Sequence, residues 1–200
     1  EFGLNKYNPA NESFQRYYKL NTVDQKYSSE NNIRTIYEDE SGLLWLGFYG
    51  GDMMRFNPKT EQFLPIPELN SFMNQLKINK VNAFHVDAKG FYWIGTEVGG
   101  LIQYQPFTHS IKSFTTKGIG SDKLSDDIVM SITEDSEGYI WAGTWMGGIN
   151  KVDPRNGVVE RWTSKEIPNF SSNSITSLTF DSSGNLWAGT FDKGAMLINT

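Results

Sequence analysis

One unit of just under fifty residues is written again and again along this chain, and that repetition limits the possible folds more than any other feature. Its centre is an aspartate followed by a glycine, a tryptophan and a second glycine at fixed offsets. The four copies are Asp39, Gly42, Trp45 and Gly47; Asp87, Gly90, Trp93 and Gly95; Asp135, Gly138, Trp141 and Gly143; and Asp181, Gly184, Trp187 and Gly189. The tryptophans stand 48, 48 and 46 residues apart. Ahead of each aspartate lies an apolar pair: Ile33 and Ile36, Val81 and Phe84, Val129 and Ile132, Ile175 and Leu178. Behind it come Gly50-Gly51, Gly99-Gly100, Gly147-Gly148 and, in the last copy, Lys193-Gly194. An apolar segment then ends at Pro58, Pro106 and Pro154, and Pro9 occupies the same place after Gly3. The chain therefore opens and closes within a unit, as a stretch cut from a longer polypeptide would.

Each unit reads as four short strands. In the third copy these are predicted at Val129–Glu134, Tyr139–Thr144, Ile149–Val152 and Val158–Thr163. The Asp-x-x-Gly step is a hairpin signal, because aspartate can bond its own turn backbone and glycine takes the positive-φ position. The Gly pair marks the second reversal. Asn-Pro or Asp-Pro opens the third, since proline cannot donate into a ladder. Links such as Pro67–Lys80 are expected to be irregular connections. Four antiparallel strands at this period predict an all-β fold of β-propeller blades, a partial or open propeller with about four blades. The expected division is a partial blade over 1–29, blades over 30–78, 79–126 and 127–173, and a partial blade over 174–200. Thr35, Ala83, Ser131 and Ser177 share one position and are always small, as crowding of the innermost strands requires. The four tryptophans are expected to wedge one blade against the next.

Composition narrows the function. A formal net charge of −5 without a Lys/Arg cluster argues against nucleic acid, whose phosphates need a basic stripe. Cysteine is absent, so the fold uses neither a disulfide nor a thiolate metal site. No apolar run approaches the roughly 18 residues of a membrane span, so no direct membrane contact is expected in this stretch. His85 and His109 are isolated, and the repeated aspartates lack the alternating carboxylates of a calcium loop, so neither a metal nor a cofactor is expected. The repeated acids all sit in turns and offer no distinctive pair for glycoside hydrolysis. No catalytic residue is assigned.

These residues resemble the two-component regulator propeller repeat, roughly Ile-x-x-Ile-x-x-Asp-x-x-Gly-x-Leu-Trp-x-Gly-Thr-x-x-Gly-Gly-Leu, and Val129 to Ile149 follow it nearly throughout. The copies depart from it at Phe48, which replaces Thr96, Thr144 and Thr190, at Lys193, and in a first copy one residue shorter between Trp45 and its Gly pair. The resemblance implies the periplasmic sensor propeller of a hybrid histidine-kinase regulator. It also implies oligosaccharide sensing or scaffolding, with the kinase output outside this stretch. A structural protein–protein interaction propeller and a carbohydrate-active enzyme are the alternatives.

The candidate ligand residues follow each second strand, where chemistry varies while the frame is held. They are Tyr49, Asp52, Glu97, Trp145, Phe191 and Asp192. Aromatic faces beside carboxylates suit sugars, by stacking on the ring and hydrogen-bonding its hydroxyls. Asn32, Asn79, Asp127 and Asn173 of the links are expected on the same face. The expected partners are an oligosaccharide, neighbouring domains of the parent sensor, and a second copy associating through open blade edges.

Overall fold

The computed structural model describes residues 3–19, 31–50, 52–78, 80–120 and 123–198. The half-unit at the start forms a two-stranded sheet, β1 (Leu4–Asn8) and β2 (Ser13–Tyr17). Three four-stranded antiparallel meanders follow. The first holds β3 (Ile33–Glu38), β4 (Leu44–Phe48), β5 (Met53–Asn57) and β6 (Gln62–Pro65). The second holds β7 (Val81–Val86), β8 (Tyr92–Thr96), β9 (Leu101–Gln105) and β10 (Ser110–Phe114). The third holds β11 (Val129–Glu134), β12 (Ile140–Thr144), β13 (Ile149–Asp153) and β14 (Gly157–Trp162). The last sheet has three strands, β15 (Ile175–Phe180), β16 (Leu186–Thr190) and β17 (Ala195–Ile198).

The first strands β3, β7, β11 and β15 lie side by side in that order, so they are the inner strands of a blade series. Apolar packing lies between sheets. One cluster joins Trp45 and Met53 of the first meander to Val81, Phe84, Ile94 and Tyr104 of the second. Another sets Trp93, Leu101 and Phe114 against Val129, Ile140 and Val152. A third sets Trp141 and Ile149 against Ile175, Leu178 and Leu186. Leu4 of the half-blade packs on Leu46, Phe48 and Phe56. Trp45 stacks on Phe84 of the next sheet at 5.5 Å, and Trp141 meets Phe180 edge-on at 6.0 Å. Trp45, Trp93 and Trp141 are 3%, 0% and 0% exposed, but Trp187 is 40% exposed because no described sheet lies beyond it. At the other edge Ile36 is exposed as well, because the described half-blade before it carries only two strands, β1 and β2.

The small residues have a second reason beyond crowding at the axis. Thr35, Ala83, Ser131 and Ser177 lie directly across from Gly47, Gly95, Gly143 and Gly189. A Cβ on Gly95 would sit 2.8 Å from Val129 Cγ1, so glycine there lets the next inner strand close down.

One expectation is corrected. The link after β6 is not irregular: Pro67–Gln75 forms helix α1. Proline in the first turn suits a helix start, where its missing N–H costs nothing. Leu69 and Met73, one turn apart, bury that face in the first inter-sheet cluster. The first copy is one residue shorter between Trp45 and its Gly pair, yet its turn keeps the length of the others. Gly47 pairs with Met53 just as Gly95 pairs with Leu101, so Asp52 fills the place of Gly100 and only the Gly pair has shifted. Gly51 itself lies outside the described residues, as does Asn79.

Candidate functional site

Each Asp-x-x-Gly hairpin is a fixed unit. Asp135 Oδ1 accepts from the backbone N–H groups of Glu137 and Tyr139, while Oδ2 accepts from Trp141 Nε1 at 2.8 Å. The same indole bond joins Asp39 to Trp45, Asp87 to Trp93 and Asp181 to Trp187, at 2.8, 2.8 and 2.9 Å. The repeated carboxylates are thus consumed by structure. Partial burial alone would push the Asp39 carboxyl up. The bonds from Ser41, Trp45 and the turn backbone outweigh it and hold Asp39 below the ordinary range. The indole of Trp187 and the amides of Asn185 and Ser183 lower Asp181 to about 2.

The opposite end of the blades is built by the turns between second and third strands. Thr144 Oγ1 donates to Gly148 O at 2.9 Å and accepts from Gly147 N at 3.1 Å, and Thr96 does the same with Gly100 and Gly99. The residue after this threonine is tied to the incoming link. Trp145 N donates to Ile128 O, Glu97 N to Lys80 O, Tyr49 N to Asn32 O and Phe191 N to Ser174 O. The turn residues and the links therefore emerge on one face.

On that face Tyr49, Glu97 and Trp145, from three successive sheets, line a single cavity of about 310 Å³. Lys80 bridges two of them. Its Nζ lies 2.6 Å from the Glu97 carboxylate and 4.7 Å from the centre of the Tyr49 ring, and Glu97 holds its ammonium above the usual range. Phe191 stands beside the cavity, its ring 4.9 Å from that of Trp145. The remaining two candidates are directed elsewhere. Asp52 pairs with Lys19 at 2.5 Å, and Asp192 accepts from Ser172 Oγ at 2.5 Å. Of the link residues, Asn173 holds Ser164, and Asp127 accepts from the N–H and hydroxyl of Thr116.

The cavity also contains residues that the turn positions did not disclose: Arg34, Asn82 and Met130. Each is the extra residue of a β-bulge, at Ile33/Thr35, Val81/Ala83 and Val129/Ser131. A bulge re-aims one side chain without ending the strand, and such irregularities gather beside functional sites. The signal was present in the apolar pairs. Val81 and Phe84 are three residues apart yet both buried, which strict alternation forbids. His85, by contrast, meets Glu134 of the next inner strand at 3.3 Å, and His109 meets the Tyr104 hydroxyl at 3.0 Å. Among the described residues no group of three or more His, Cys, Asp or Glu is placed to hold a metal ion.

Comparison with known proteins places this architecture. No curated protein matches the sequence. The fold is shared with the extracellular domain of a hybrid two component system from B. thetaiotaomicron, at 23% identity and a TM-score of 0.73 over 100% of this chain. It is also shared with virginiamycin B lyase from Staphylococcus aureus, at 17% identity and a TM-score of 0.58 over 86% of this chain. The WD40 β propeller domain of Doa1 matches 84% of the chain at 13% identity and a TM-score of 0.65. The chain spans 25% of the first of these structures, 57% of the second and 51% of the third. No helix among the described residues is long and apolar enough to cross a membrane. The two component regulator propeller family matches residues 27–50, 123–146 and 169–192. The Asp87 copy, between the first two matches, has the same strand register as its neighbours. Three of the four copies thus match two component regulator propeller repeats, and the fourth keeps their strand register within the same propeller architecture.

Proposed function

We propose that this chain is part of the periplasmic sensor propeller of a hybrid two-component regulator, that its turn face binds an oligosaccharide, and that the kinase output lies outside it. The observation that carries the reading is the convergence of Tyr49, Glu97 and Trp145, from three blades, on one cavity with Arg34 and Asn82. Aromatic faces beside donors and a carboxylate are the chemistry that holds a pyranose ring and its hydroxyls. The chain itself acts as a binding module and not as an enzyme. Titration calorimetry against a panel of neutral and acidic oligosaccharides is the test. Saturable binding that Trp145→Ala abolishes supports the reading, and no heat with any member at millimolar concentration sinks it.

Exposed Val98, Met146 and Phe191 around the same turns favour a second reading, in which the face docks a neighbouring protein domain. The reading extends to association through the blade edges, where Ile36 stands exposed on one side and Trp187 and Leu197 on the other. A strictly monomeric mass by light scattering over a wide concentration range would count against that association.

A further inference from the structure

We infer that the cavity selects an acidic sugar, one bearing a carboxylate or a sulfate, and that Arg34 reads the charge. The inference rests on the sugar-binding reading above and adds the ligand class. Three charged side chains line the cavity: Arg34, Lys80 and Glu97. Glu97 and Lys80 cancel, with both carboxylate oxygens 2.6 Å from Nζ. Arg34 is exposed and has no hydrogen-bond or ion-pair partner among the described residues. A chain of net charge −5 thus lines its own cavity with a guanidinium that no described residue compensates.

The bulge supplies the reason it is there. Ile33 and Thr35 pair with Phe48 and Gly47, and Arg34 is the residue squeezed out between them, beside the cavity. The equivalent bulges deliver an amide at Asn82, a thioether at Met130 and a hydroxyl at Thr176. Only the first copy delivers a charge. A guanidinium presents a planar fork that matches a carboxylate or sulfate in two parallel bonds, which a neutral hydroxyl cannot use. Trp145 and Tyr49 supply ring faces for the rest of the sugar.

The test uses matched pairs that differ only in charge, such as an oligogalacturonate and its methyl ester, or a sulfated disaccharide and its unsulfated parent. These are titrated by calorimetry at 50 and 500 mM salt. The acidic member should bind about tenfold more tightly, the worth of one charge-assisted hydrogen bond at a partly exposed site. High salt should shrink that advantage. Arg34→Gln should reduce it to less than about threefold, and Arg34→Lys should restore part of it without the two-pronged geometry. Arg34 is exposed, so thermal unfolding of both variants should match the parent. Equal binding of acidic and neutral partners, or an advantage that survives Arg34→Gln, overturns the assignment of Arg34 and leaves sugar binding standing. Absence of binding by every member of every pair overturns both.

Discussion

Asp87 and Trp93 form one buried hydrogen bond, Oδ2 to Nε1 at 2.8 Å, which fastens a hairpin turn to the indole wedged between two sheets. The other carboxylate oxygen holds the amides of Lys89 and Phe91. One side chain thus settles turn shape and tryptophan orientation together. Asp87→Ala should cost about 3 kcal/mol, because it strands the buried Trp93 indole N–H, which water cannot reach. At the last copy the tryptophan is 40% exposed, so Asp181→Ala should cost clearly less. Urea denaturation of the two variants provides the comparison, and equal losses would refute it.

The hairpin aspartates set an acid limit. The folded pKa of Asp181 is lowered to about 2. Its stabilising effect is therefore complete above the ordinary carboxylate value and fades as pH falls through the folded value. Asp39 shifts in the same direction. The Trp187 indole N–H resonance should titrate near pH 2 and not near 4. Asp181→Asn should remove that titration.

At the alkaline end the half-blade is held by Tyr17, whose hydroxyl donates to Glu61 at 2.7 Å. Burial, then the bond to Glu61 and its charge, push the tyrosine up to about 12. A raised folded value means the contribution is whole below pH 10 and is lost as pH climbs toward 12. Phenolate absorbance should report this late ionisation, and Glu61→Gln should bring it back toward 10.

Close approach between sheets predicts an asymmetry among the glycines. Gly95→Ala would press a methyl onto Val129, with its Cγ1 at 2.8 Å, and should cost about 1–3 kcal/mol. Gly189→Ala meets chiefly the Ser177 hydroxyl of its own sheet, which can rotate away, and should cost less than Gly95→Ala. Thermal melts of both variants decide the point.

The strand frame was legible because a repeated unit averages out local noise. Predicted and observed strands of the third copy differ by one residue at several ends, and Val129–Glu134 coincides. Helix α1 escaped because, among the described residues, it occurs in one link only. Its sole clues were Pro67 and the Leu69–Met73 spacing, against Asn70, Ser71 and Asn74, which are weak helix formers. The cavity was half legible. The turn positions gave Tyr49, Glu97 and Trp145, while Arg34, Asn82 and Met130 needed the slip in alternation to be recognised as a bulge. That Asp52 and Asp192 turn toward Lys19 and Ser172 depends on residues distant in sequence, which spacing cannot convey.

The placement of the cavity has a mechanical corollary. Its walls come from three blades, so any occupant straddles two seams of the apolar packing at once. Binding energy would then be felt as stiffness between neighbouring sheets, much as a strap across several staves stiffens a barrel. If the proposed ligand binds there, its presence would be reported by how firmly the blades are held together, with no strand having to change its pairing.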